Sequence, residues 1–101
     1  MSQASIQISH EDYGSSGRYF AQLPGVEGEA ELTWRNGGPG IIVADHTFVP
    51  NPMRGSGVAM ALVKRLIADA RHRGLLIAPN CSYVQAQFDR HPEWADLRAD
   101  S

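Results

Sequence analysis

Arg54-Gly55-Ser56-Gly57-Val58-Ala59 joins an apolar run, Gly40 to Val49, to a helical pattern, Gly57 to Arg73. Small residues at this junction let the chain turn tightly and leave backbone N–H groups uncovered where the helix starts. Those donors and the positive end of the helix dipole together suit a pyrophosphate. The spacing is not G-x-x-x-x-G-K-[ST], because no Lys-Ser/Thr pair follows the glycines. It is not G-x-G-x-x-G either, because Met60 occupies the third small position. On its own the loop reads equally well as a strand-to-helix turn without a ligand.

Downstream of the loop, apolar residues at 58, 59, 62, 63, 66, 67 and 70 recur at i, i+3, i+4 spacing, and Lys64, Arg65, Asp69, Arg71 and Arg73 mostly cover the rest. Arg71-His72-Arg73 complement the C-terminal end of that helix, and Gly74 suits the position just past it. Leu75 to Ala78 reads as a short buried strand, parallel to Gly40–Val49 because a helix connects the two. Ser82 to Arg90 follows as a second helix with Ser82 as candidate N-cap, and Pro92 starts a last turn that runs through Trp94 and Leu97.

Upstream, Ala30 to Arg35 alternates, with Ala30, Leu32 and Trp34 on one face, and Asn36-Gly37-Gly38 closes a hairpin with Gly40–Val49. The continuous run Ile41-Ile42-Val43-Ala44 places that strand inside the sheet, covered on both faces. Arg18 to Leu23 alternates ahead of Pro24-Gly25. Ile6-Gln7-Ile8 is a short candidate strand, and His10 to Gly17 is turn material. The fold class is α/β: an antiparallel meander ending in one β-α-β crossover and a short C-terminal helix. One domain is expected over residues 1–101, with residues 1–5 and 98–101 as loose ends.

Composition removes several classes of function. Nine basic and eleven acidic residues, net charge −2, form no basic face for nucleic acid. One cysteine, Cys81, allows no internal disulfide, and the four histidines show no zinc spacing, so no metal is expected. No apolar run approaches the ~20 residues of a membrane helix, and the first residues do not read as a signal peptide. The expectation is a cytoplasmic protein without a membrane partner.

Arg54–Ala59 also fits R-x-x-G-x-A, and further strings follow it in order: His46-Thr47-Phe48-Val49-Pro50 before the loop and Ala61-Leu62-Val63 in the helix. After the helix come Arg73-Gly74-Leu75, Pro79-Asn80-Cys81-Ser82-Tyr83-Val84 and His91-Pro92-Glu93-Trp94. This ordered set resembles the GNAT N-acetyltransferase superfamily, in particular its small single-domain YjdJ-type branch, from about Gly28 to Leu97. The resemblance implies a minimal GNAT fold and an acyl-CoA partner, with acetyl-CoA the expected donor. It also implies that the backbone of Arg54, Gly55, Ser56, Gly57, Val58 and Ala59 cradles the CoA pyrophosphate. The preceding strand, ending at Phe48 and Val49, would hold the pantetheine arm; Phe48 is otherwise expected in the core.

By the same resemblance Cys81 lies where acyl group and CoA sulfur meet. A thiol there suits an acyl carrier, with the start of the Ser82–Arg90 helix favouring the thiolate, or a mixed disulfide with CoA; the plainer reading is an inert buried thiol. Alternation puts Ala44, His46 and Phe48 on one face, which makes His46 a candidate base or a satisfied strand histidine. Tyr83 is the candidate proton donor to the departing thiolate, or a packing tyrosine. His91 is expected to be structural, with Trp94 folded back on the sheet, and Glu27, Glu29 and Glu31 form a solvated face or an attraction for a cationic amine. The function expected is acyl-CoA-dependent N-acetyl transfer to an unidentified amine. The alternative is a CoA-binding module without turnover, in which a protein partner completes the acceptor side left open by the missing N-terminal helices of larger GNAT enzymes.

Overall fold

The structure, a computed structural model, describes residues 6–99. Its elements are β1 (Ser9–Asp12), β2 (Ser16–Ala21), β3 (Ala30–Asn36), β4 (Ile41–Phe48), α1 (Val58–Arg73), β5 (Leu76–Pro79) and α2 (Ser82–Arg90), with single 3-10 segments at Asn51–Met53 and Pro92–Leu97. The strands form one sheet in the order β1-β2-β3-β4-β5, antiparallel except for the parallel β4–β5 pair that α1 connects. This is the α/β meander and crossover expected from the sequence.

Two early elements differ from expectation. The first strand is Ser9–Asp12, not Ile6–Ile8, and β2 begins at Ser16, inside the stretch read as turn. β1 is too polar to show alternation, so nothing in its pattern marks it. It is held by its ladder to β2, by the Glu11–Arg18 ion pair, and by His10, which stacks on Tyr19 with ring centroids 4.3 Å apart and accepts a bond from Trp34 Nε1 at 3.1 Å. Gly17 lies opposite Trp34 in the β2–β3 ladder, and a Cβ there would run into the indole ring. Of the expected loose ends, residues 1–5 and 100–101 lie outside the described residues. Arg98 and Ala99 are bonded to β5, with the Ala99 N–H donating to Ile77 O at 2.8 Å.

The core lies on one face of the sheet. Tyr19, Ala21, Ala30, Leu32, Trp34, Ile42, Ala44 and Ile77 point to it from the strands and meet Val58, Leu62, Val63, Leu66, Ile67 and Ala70 of α1. These α1 positions are the predicted stripe, apart from Ala59, which is half-buried. Each fully buried Leu contributes about 1.5–3 kcal/mol of apolar transfer free energy. Val84 and Phe88 of α2, with Trp94 and Leu97, close the same core. Trp94 joins this core, packs edge-on against Phe88 and stacks on His91. The opposite sheet face carries Arg18, Phe20, Glu31 and Thr33, all half-buried. Val43 on β4 is buried there too, but outside the core cluster, so the first half of this inner strand is buried on both sides without a helix over the far one.

Candidate functional site

β4 continues to Phe48, but β5 pairs with it only from Ile41–Leu76 to Ala44–Pro79. The Asn80 N–H donates to Ala44 O at 3.0 Å, and the chain then leaves the sheet to begin α2. The second half of β4 therefore has no strand along that edge. At the same point the β3–β4 register slips: Trp34 pairs with Ala44, but Thr33 pairs with His46, leaving Asp45 as the extra residue of a bulge. Directly opposed residues share a face. Thr47, opposite the core residue Leu32, thus faces the helices, whereas His46 and Phe48, opposite Thr33 and Glu31, face away.

This corrects the alternation read from the sequence. Ala44 is inward, but His46 and Phe48 lie on the far face; His46 is exposed, and Phe48 is not core. The structure does not bring His46 together with Cys81. It brings Thr47 there instead, with Oγ1 3.2 Å from Cys81 Sγ, either atom being able to donate. Thr47 was missed because a one-residue insertion leaves no trace in the apolar pattern.

A cleft of about 480 Å³ runs on the helix side from this unpaired edge to the start of α1. Thr47 and Val49 of the β4 side, Arg54, Gly57 and Ala59 of the glycine loop, and Tyr83 of α2 line it, and Gly55, Val58, Met53 and Met60 complete the wall. Gly55 and Gly57 have φ of 80° and 87°, a region other residues enter only at a cost of about 1–2 kcal/mol. Gly57 is the N-cap and has no side chain to bond the first turn, and that turn holds no acidic residue. The Val58 N–H is taken by Ser56 Oγ at 3.3 Å, so Ser56 acts inside the loop and does not line the cleft. Among the described residues the amides of Gly55, Gly57, Ala59 and Met60 have no acceptor. Uncovered donors at the start of a 16-residue helix, with Arg54 beside them, make this end of the cleft fit a polyanion.

The other end is defined by α2. Cys81, not Ser82, is its N-cap residue, and the Gln85 N–H bonds to Cys81 O at 2.9 Å. The half-buried thiol therefore sits at the positive end of a second helix, whose first turn also lacks acidic residues. Tyr83 is half-buried on the cleft wall, and its hydroxyl has no hydrogen-bond partner among the described residues. Burial raises its pKa above the usual tyrosine value, against a smaller opposite effect of Arg90, so it remains a proton donor at neutral pH.

The remaining candidates lie elsewhere. His91 bonds Glu93 through Nδ1 at 2.9 Å and stacks on Trp94, outside the cleft. Glu29 and Glu31 are not free for an amine: with Glu11 they surround Arg18 at 2.7, 3.0 and 2.9 Å. No group of three acidic, His or Cys side chains suited to a metal occurs among the described residues, and no helix there is long and apolar enough to cross a membrane.

Comparison with known proteins gives the family and the fold. The family model for GCN5-related N-acetyl-transferases matches residues 18–97. Among solved structures, a GCN5-like protein from Staphylococcus aureus superposes with a TM-score of 0.74 at 22% identity, covering 98% of this chain and 93% of that one. A ribosomal-protein-alanine N-acetyltransferase from Brucella melitensis superposes with a TM-score of 0.58 at 21% identity, and the match covers 87% of this chain and 64% of that enzyme. At these identities the two structures establish a shared fold.

Proposed function

The chain belongs to the GCN5-related N-acetyltransferase family, and from that premise we propose that it transfers an acetyl group from acetyl-CoA to an amine. The observation that carries this reading is the cleft that runs from uncovered amides at the start of α1 to Thr47 and Tyr83; Cys81 does not line it but lies behind Thr47, in contact with its hydroxyl. Acetyl-CoA supplies an activated acyl thioester. The Gly55, Gly57, Ala59 and Met60 amides, with Arg54, hold its pyrophosphate, and the unpaired edge of β4 toward Val49 orients the arm that follows.

At the inner end Tyr83 gives its proton to the departing CoA thiolate, and the proton lost by the attacking thiol or amine restores the Tyr83 hydroxyl. Cys81 either carries the acetyl group as a thioester, its Sγ held by the Thr47 hydroxyl and the α2 dipole, or forms the wall against which the acyl group rests. His46 serves as base only for an amine that arrives from the far side of the sheet. A second reading, a CoA-binding module without turnover, is favoured by one observation: no helix among the described residues covers that far side.

Intact mass after incubation with acetyl-CoA separates these readings. A gain of one acetyl group in the wild type and none in Cys81→Ser places Cys81 on the reaction path. No gain, but CoA release that depends on added amine and falls 10- to 100-fold in Tyr83→Phe, supports direct transfer. A rise in melting temperature with CoA and neither change supports the binding module. No response of any kind refutes both.

A further inference from the structure

A second cleft, of about 490 Å³, lies on the far face of the sheet over the β4–β5 pair. Its floor is Val43 and Ala78, register partners whose chain neighbours Ile42, Ala44 and Ile77 point into the core. Its walls carry Arg35, Asn80, Gln85 and Arg98. Strand pairing ends at Ala44–Pro79, beside this cleft. Cys81 stands in the chain between Asn80, which lines the far cleft, and Tyr83, which lines the cofactor cleft. The bulge that sends Thr47 to one side sends His46 to the other. An amine attacking an acyl group at Thr47–Cys81 cannot come along the path filled by the cofactor, and the far cleft reaches Asn80, the residue before Cys81, from the opposite face of the sheet.

The polar lining of this second cleft is selective. It has two guanidinium groups and two carboxamides, and no carboxylate. Arg35 is half exposed and meets Asp45 only through Nε at 3.4 Å, and Arg98 meets Asp89 through Nη1 at 3.0 Å. A guanidinium has five N–H donors, so each keeps donors for a further oxyanion and can bind one bidentately. The Asn80 and Gln85 side chains have no hydrogen-bond partner among the described residues, and their carbonyl oxygens suit an ammonium or amine N–H. Resting on the transfer reading above, we infer that the far cleft is the acceptor site and takes a small amine carrying its own oxyanion, held by Arg35 and Arg98 with the amino group toward Asn80 and Cys81.

The test is a titration of the isotopically labelled, CoA-saturated protein, following the Asn80 and Gln85 side-chain amide signals by NMR. β-Alanine and 2-aminoethylphosphonate are the oxyanion-bearing probes, and n-propylamine is the control of matching length. Saturable shifts with at least one of the first two, absent with propylamine, are expected, and the stronger binder tells carboxylate from phosphonate. Arg35→Gln and Arg98→Gln should each raise its Kd about tenfold. Asn80→Asp, which puts a carboxylate into the cleft without enlarging it, should do the same. Equal responses to propylamine, no saturable response to either charged probe, or unchanged Kd in all three variants overturns the proposal. The backbone amides of Gly55 and Gly57 report CoA in the same sample. Their failure to respond sinks the transfer reading, while the Asn80 and Gln85 signals still decide the far cleft in the CoA-free protein.

Discussion

Thr47 shows how one inserted residue chooses the chemistry of the site. Without Asp45 as the extra residue, His46 would face the helices and Thr47 the far side, because the side-chain period along a strand is two. With it, a hydroxyl 3.2 Å from Cys81 replaces an imidazole. A hydroxyl donating to a thiolate is worth about 1.5–3 kcal/mol, so Thr47→Val should slow acetylation of Cys81 by about tenfold or more. Intact-mass time courses check this, with CoA binding unchanged as the control. An unaltered rate would leave Thr47 a packing residue. The place of Cys81 and Tyr83 at a strand–helix junction was legible in the sequence because they follow a well-marked strand and begin a helix. Thr47 was not, since a bulge has no signature in the hydrophobic pattern, and the same blindness put Phe48 in the core.

At the scale of elements, α1 was legible almost to the residue, because its apolar stripe, basic last turn and flanking glycines all point the same way. β1 was illegible for the opposite reason: its residues are polar, and tertiary pairing alone makes them a strand. What docks α1 on the sheet besides apolar burial is the Tyr19 hydroxyl, which donates to Asp69 Oδ2 at 2.8 Å while Arg65 holds the same carboxylate at 3.3 Å. Burial, and then the Asp69 carboxylate, raise the Tyr19 pKa well above the ordinary tyrosine range. A folded-state pKa above the unfolded one means stability that is complete below pH about 10 and lost as pH rises through the folded value. Tyr19→Phe should therefore cost about 1 kcal/mol near neutrality. Its deficit relative to the wild type should shrink above pH about 10. Urea unfolding at neutral and alkaline pH checks this, and a deficit independent of pH would mean that the bond to Asp69 does not couple the two layers.

Over the whole molecule, both α-helices turn their apolar sides to one face of the sheet, with only Gln85 of α2 reaching the rim of the far cleft, and the two clefts lie on opposite faces beside the point where β4 and β5 part. The order of elements and the glycine loop ahead of α1 could be read from the sequence, because both rest on local periodicity and on a run of adjacent small residues. The second cleft could not, since Arg35, Asn80 and Arg98 are far apart in the chain and are gathered only by register and by the pairing of Ala99 with β5. The central claim is that the start of α1 is an anion site built for CoA. Its most direct measurement is the CoA binding isotherm of the wild type against Ala59→Glu. A carboxylate in the first turn favours the helix itself by about 0.3–1 kcal/mol. Folding stability should therefore hold or rise, while Kd for CoA rises at least tenfold. An unchanged Kd in a stably folded Ala59→Glu protein, or no CoA binding by the wild type, would contradict the account.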